Sequence, residues 1–215
     1  MSRLEYVQRP AAGAPQGLLV LHHGRGSHEH NMLALGDVLD PSRRFHVVAP
    51  RGPLESGAEG AYQWYLTGRV GFPDPPSFAL GTRQLAQLHD ELWQATATGP
   101  ERTVLGGFSM GTVMSYALGL DPDRPAPAGI LAFSGYLPSV EGWRPDLSRQ
   151  TTRVFISHSV EDELIDIEFA RATRGLLERA GFAVDYGESQ GRHTIEAAQI
   201  RRAVKWFGTL ELGGC

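Results

Sequence analysis

Apolar runs without an alternating polar face recur along the chain: "GLLVLHH" (17–23), "FHVVAP" (45–50), "TVLGGF" (103–108), "GILAFSG" (129–135) and "RVFISHS" (153–159). A strand that is apolar on both faces must be covered on both faces, which predicts a mostly parallel sheet. Two further strands are predicted at "LEYV" (4–7) and "FAVDYG" (182–187), making about seven. Between them the apolar spacing turns helical over 29–39, 81–97, 110–120, 164–180 and 194–210. Gly181, after "EFARATRGLLERAG", is a plausible C-cap. Strand and helix in alternation predict an α/β three-layer sandwich. Repeats, low-complexity stretches and linkers are missing from this pattern, so residues 1–215 read as one domain.

One segment breaks the alternation. Residues 51–80, "RGPLESGAEGAYQWYLTGRVGFPDPPSFAL", are too long for an ordinary connection. Tyr62, Trp64, Tyr65, Phe72 and Phe78 argue against disorder, which is poor in aromatics. The segment is expected to be an ordered loop over a binding site.

Composition narrows the partners. There are 24 Asp and Glu against 20 Lys and Arg, for a net charge of −4, and no basic run. A nucleic-acid partner is therefore not expected. The apolar runs are much shorter than a membrane span, and "MSRLEYVQRP" carries no apolar signal-peptide core. Cys215, the single cysteine, leaves no internal disulfide to form and suits a reducing compartment. A cytoplasmic location is the expectation.

Candidate chemistry begins with two matches to G-x-S-x-G, "GFSMG" around Ser109 and "GESQG" around Ser189. Ser109 directly follows an apolar strand and opens a helical pattern, the strand–turn–helix context of a nucleophile elbow. Glycines on either side allow the turn's backbone segments to approach closely. A helix N-terminus there would favour developing negative charge. Ser189 also lies between a strand and a helix, but the partners decide against it. A hydrolase of this architecture supplies nucleophile, acid and histidine in that order. After Ser189 come only His193 and no Asp, whereas after Ser109 come Asp162 and His193, each just past a predicted strand. Asp162 competes with Glu161 and Asp166, and any of the three is open to a reading as a solvated helix-start acid. His193 precedes a helix that Thr194 is expected to cap.

The stretch "LLVLHHGRGSHEHN" adds a second glycine-rich turn after a strand. A dinucleotide fingerprint there lacks its third glycine, Glu29 standing in its place. A metal site from His28, Glu29 and His30 lacks a further ligand at supporting spacing. The better reading is an oxyanion loop: Gly24 and Gly26 let backbone approach the substrate, and an N–H there pairs with that of Met110.

Together "LHHGRG", "VVAPRGP", "GGFSMG", "HSVEDELI" and "GRHTI" resemble the phospholipase/carboxylesterase family of α/β-hydrolases, which includes acyl-protein thioesterases. The resemblance runs from about residue 17 to 207. It implies an α/β-hydrolase fold without a separate lid domain, no cofactor and no metal. It also implies Ser109 as nucleophile, Asp162 as acid, His193 as base, and the N–H groups of Arg25 and Met110 as the oxyanion hole. The chain departs from the family's pattern at Ser159 and Asp166, at Met110 where the thioesterases typically carry Gln, and at Thr112. These departures favour a general carboxylesterase acting on a small-molecule ester. Trp64 and Tyr65 are expected either to bind the acyl or alcohol group or to form a satellite core beneath the loop. A thioesterase or lysophospholipase-type activity on the same residues, and a non-catalytic binding protein of the same fold, are the alternatives. A dienelactone hydrolase would need a cysteine nucleophile, which the position of Cys215 disfavours. A homodimer is compatible with the sequence.

Overall fold

The computed structural model describes residues 3–210 and 212; Cys215 lies outside the described residues. In chain order the elements are β1 (Tyr6–Arg9), β2 (Gly17–His22), α1 (Glu29–Leu39) and β3 (Phe45–Pro50). Next come the short strands β4 (Leu54–Glu55), β5 (Tyr62–Gln63), β6 (Thr67–Arg69) and β7 (Phe72–Pro73), then α2 (Pro75–Thr96). The second half holds β8 (Thr103–Phe108), α3 (Met110–Gly119), β9 (Gly129–Phe133), β10 (Arg153–Ser159), α4 (Ile167–Arg179), β11 (Val184–Ser189) and α5 (Ala197–Gly208).

Seven strands form one sheet in the order β1-β3-β2-β8-β9-β10-β11, antiparallel only at the β1–β3 edge. This is the α/β-hydrolase sandwich, and the residues explain the layering. Along β2, Leu18 and Val20 face a core shared with α2 and α3, while Leu19 and Leu21 face a core shared with α1 and α5. A strand between two cores needs apolar side chains at every position, which is why β2 shows no alternation. All ten residues of α3 are buried, as expected of a helix that is apolar around its whole circumference.

Strands β1 and β11 each lie two residues later than expected and α4 starts three residues later, and two further boundaries differ for local reasons. Helix α2 starts at Pro75, six residues before the expected 81, because proline fits the first helical turn and Asp74 caps it. The Asp74 carboxylate accepts from the Ser77 backbone N–H at 3.0 Å. Thr194 does not cap α5; Glu196 holds that position, its N–H donating to Gln199 Oε1 at 2.7 Å. The expected cap at Gly181 is present: its φ is +89° and its N–H donates to the Glu178 carbonyl.

Residues 51–74 are ordered as two small antiparallel ribbons, β4 with β5 and β6 with β7. Beneath them lies a buried histidine pair. His22 and His89 stack with ring centroids 5.7 Å apart, and among the described residues neither Nε2 has a hydrogen-bond partner. Among the described residues no helix is long and apolar enough to cross a membrane.

The chain leaves β2 outward to β3 and returns to β8 on the other side of β2. That reversal opens a crevice at the carboxyl ends of β2 and β8, the place where open α/β sheets hold ligands. Gly24 follows β2 there, and Ser109 follows β8.

Candidate active site

Ser109 sits between the last residue of β8 and the first of α3 with φ +56° and ψ −119°, a strained backbone for a residue with a side chain. Packing holds it there. A Cβ on Gly107 would lie 2.2 Å from the Gly111 carbonyl carbon, and one on Gly111 would lie 1.9 Å from the His22 carbonyl oxygen. Both positions therefore require glycine by close approach of backbone, not by their own φ. Thr112 staples the turn to β9: its Oγ1 lies 2.7 Å from Gly107 O and 2.6 Å from Phe133 O and accepts from Phe133 N–H at 3.1 Å. The Ser109 N–H also donates to Phe133 O, at 2.9 Å.

His193 arrives from the segment between β11 and α5, and Asp162 from the loop after β10. His193 Nε2 is 2.9 Å from Ser109 Oγ, and its Nδ1 is 2.7 Å from Asp162 Oδ2. A carboxylate can only accept, so Nδ1 carries the proton and Nε2 presents a lone pair to the serine. Phe108 packs on the imidazole, ring centroids 4.8 Å apart. Asp162 is held from the other side as well. Its Oδ1 accepts from the N–H groups of Leu164 and Ile165 at 3.0 and 2.8 Å. His158 Nε2 donates to Ile165 O at 2.8 Å and lies 3.2 Å from Asp162 Oδ2. Burial pushes the His158 imidazole below its ordinary range and so keeps it a neutral donor.

The other sequence candidates fall elsewhere. Glu161 is exposed, and Asp166 caps α4, accepting from Glu168 N–H at 2.9 Å. Ser189 ends β11 with its Oγ 3.0 Å from Ser159 Oγ, so Ser159 and Ser189 satisfy each other away from His193.

The glycine turn after β2 adjoins Ser109. It is fixed by His23, whose Nε2 accepts from Gly52 N–H at 2.9 Å and whose Nδ1–H therefore donates to Gly24 O at 2.8 Å. Burial pushes His23 down to about 4, in keeping with a neutral ring that must both accept and donate. Gly24, Arg25 and Met110 line one cleft with Ser109 and His193. Met110 is the first residue of α3, where a helix leaves its N–H groups without intrahelical acceptors.

The cleft has a volume of about 320 Å³ and mostly apolar walls, among them Val70, Phe108, Leu164 and Ile165. Tyr65 and Tyr136 border it, Tyr136 being a contributor that no motif announced. Trp64 does not border it. Its indole is fully buried in the core under the cleft, the indole N–H donating to His23 O at 2.8 Å, and the Trp64 backbone N–H donates to Met110 Sδ, 3.3 Å away. The satellite-core reading holds for Trp64 because a buried indole N–H needs a fixed acceptor, which a substrate does not supply.

His28, Glu29 and His30 do come together, with possible ligand atoms within 4.8 Å of one another. Both Glu29 oxygens already accept from Arg51, at 3.0 and 2.6 Å, so a cation there would compete with a guanidinium.

A Phospholipase/Carboxylesterase family model matches residues 4–209. The chain belongs to that family. As a member it is a carboxylic ester hydrolase, and its similarities agree in sequence and fold. It is 26% identical to esterase YpfH of Escherichia coli, over 92% of this chain and 84% of the relative. It is 23% identical to acyl-protein thioesterase 1 of Yarrowia lipolytica, over 94% and 95% of the two chains. The carboxylesterase of Bacillus cereus superposes with a TM-score of 0.85 at 20% identity, covering 96% of this chain and 94% of that one, a likeness of fold.

Proposed function

We propose that this family member is a serine carboxylesterase for small to medium esters, working through an acyl-enzyme on Ser109. The observation that carries the reading is the unbroken relay from Ser109 Oγ to His193 (2.9 Å) to Asp162 (2.7 Å) at the edge of an apolar cleft. In this reading His193 Nε2 takes the serine proton as Oγ attacks the ester carbonyl, and Asp162 steadies the imidazolium that forms. The N–H groups of Arg25 and Met110 receive the oxyanion, each such donor contributing about 3 kcal/mol to the barrier reduction. His193 then returns the proton to the departing alcohol. Water repeats the sequence in reverse to release the acid. The cleft volume of about 320 Å³, at the small end for ligand sites, supports short acyl or alcohol groups.

A fluorophosphonate probe with p-nitrophenyl esters of increasing acyl length tests the reading. Ser109→Ala is expected to lose labelling and about 10⁶-fold in kcat while keeping its melting temperature within a few degrees. Ser189→Ala should keep most activity. Equal labelling of the Ser109→Ala protein would end the proposal. The thioesterase name of one relative favours a second reading, in which thioesters of the same acyl groups pass through the same intermediate. Matched oxygen and sulfur esters separate the two by their kcat/KM.

A further inference from the structure

Tyr65 and Tyr136 reach the cleft from different parts of the fold, the connection between β5 and β6 and the segment after β9. Their rings are locked by neighbours: Tyr65 packs edge-on to Phe78, and Tyr136 lies against Phe169. Both residues are buried, and their hydroxyl oxygens meet at 3.3 Å.

Counting protons exposes an imbalance. Two hydroxyls carry two protons, and the bond between them uses one. Among the described residues neither oxygen has another hydrogen-bond partner. One O–H donor is therefore left without an acceptor among the described residues, beside a cleft whose walls include the hydrocarbon side chains of Val70, Leu164 and Ile165. Buried donors are almost always satisfied, and leaving one unmet is costly. Burial also pushes the Tyr65 hydroxyl above its ordinary range, so it stays protonated at any physiological pH. An alkyl chain lying in the cleft would leave this donor stranded. A substrate with an oxygen acceptor would complete it.

We propose that the Tyr65–Tyr136 hydroxyl pair is a donor subsite for a second carbonyl oxygen on the substrate, so that the preferred substrates are keto esters or diesters and not simple alkyl esters. This rests on the esterase reading of Ser109. It adds to that reading a chemical class of substrate and two specificity residues.

The test compares each keto ester with its methylene counterpart. One series carries the keto group at successive positions of the acyl half of p-nitrophenyl esters, and a second carries it in the alcohol half of acetate esters. Wild-type protein is expected to prefer the keto ester by about ten-fold in kcat/KM at one position of one series, the scale of one hydrogen bond. The double variant Tyr65→Phe/Tyr136→Phe, which keeps both rings, should bring that ratio to about one. In the wild-type pair one hydroxyl donates outward, so the single variant that removes that hydroxyl should lose most of the preference while the other keeps it, and the series can be read even where the double variant does not fold. A ratio compares two esters on one protein preparation, so a general loss of activity cancels. A wild-type ratio near one at every position of both series, or a ratio unchanged by the substitutions, overturns the subsite. If wild type turns over no ester at all, or Ser109→Ala hydrolyses both members of a pair, the esterase reading itself falls and takes the subsite with it.

Discussion

The two sides of the Ser109–His193 hydrogen bond are built differently. On the serine side, the turn between β8 and α3 is wedged against β2 by backbone contacts that tolerate no Cβ, and the helix it opens is buried along its whole length. On the histidine side, residues 190–196 run over the surface. There the His193 N–H donates to Glu163 Oε2 at 3.3 Å, and Arg192 pairs with Glu163 at 2.9 Å, with side chains 75% and 44% exposed. The imidazole reaches inward to Asp162 and Ser109, and Ile195 packs against the core beside it. Strain at Ser109 has to be held by a rigid surround, because a backbone at positive φ relaxes wherever it can. In the proposed mechanism His193 carries a proton and needs only its ring aimed, which one buried carboxylate can do. Damage to the glycine-wedged backbone on the serine side should therefore appear as lost fold, and damage on the histidine side as lost rate.

The largest effect that would separate the two sides is Asp162→Asn. An amide can donate to Nδ1 and select the wrong tautomer, a change that costs a serine protease about 10⁴ in kcat. We expect a loss of that order with a nearly unchanged melting temperature, read by stopped assay and thermal melt. Glu161→Gln and Asp166→Asn should keep the rate, the latter because asparagine caps a helix as well as aspartate does. If Asp166→Asn were as damaging, the acid would be misassigned.

Next in size is Gly111→Ala, where the added carbon meets the His22 carbonyl oxygen at 1.9 Å and neither partner can swing away. A destabilisation of at least about 4 kcal/mol is expected, enough to remove most folded protein. Urea midpoints measure it. A soluble, folded but inactive Gly111→Ala protein would contradict the division between fold and rate.

A pH effect follows on the fold alone. Burial pushes His89 down to about 3 and His22 well below its ordinary range, while an imidazole in the unfolded chain titrates near 6.5. The stability these neutral rings allow is complete above about pH 6.5. It falls as the unfolded state takes up protons that the folded state refuses, by about 1.4 kcal/mol per histidine for each pH unit toward the folded pKa. Melting temperatures should drop between pH 7 and 5, and His89→Leu should flatten that slope.

The smallest effect is expected from Glu163→Gln. Its contacts to Arg192 and the His193 backbone are exposed, and water and salt screen such pairs so that they contribute little. A two- to five-fold fall in kcat, mimicked in wild type by high salt, would fit a loosely held base.

How far these features were legible in the chain depends on how local their cause is. The seven strands of the main sheet and the five α-helices could be read, though not the short strands β4 to β7, because burial on both faces, or on one helical face, writes itself into consecutive residues. So could the meeting of Ser109, Asp162 and His193 at one end of the sheet, since each follows a strand and parallel strands all end on the same side. What followed from tertiary structure alone was which other distant side chains meet. Trp64 and Tyr65 are adjacent in the chain, yet one is swallowed by the core and the other borders the cleft, because the connection from β5 to β6 that carries them runs between the two. Tyr136 had no motif to mark it, and its pairing with Tyr65 joins residues 71 positions apart. His158 is four residues from Asp162 in sequence, but its hold on the acid depends on the loop folding back so that the Ile165 carbonyl and the carboxylate lie on the same ring nitrogen. A sequence records which side chains prefer burial; which particular neighbours they meet is decided by packing, where close approach excludes all but a few partners.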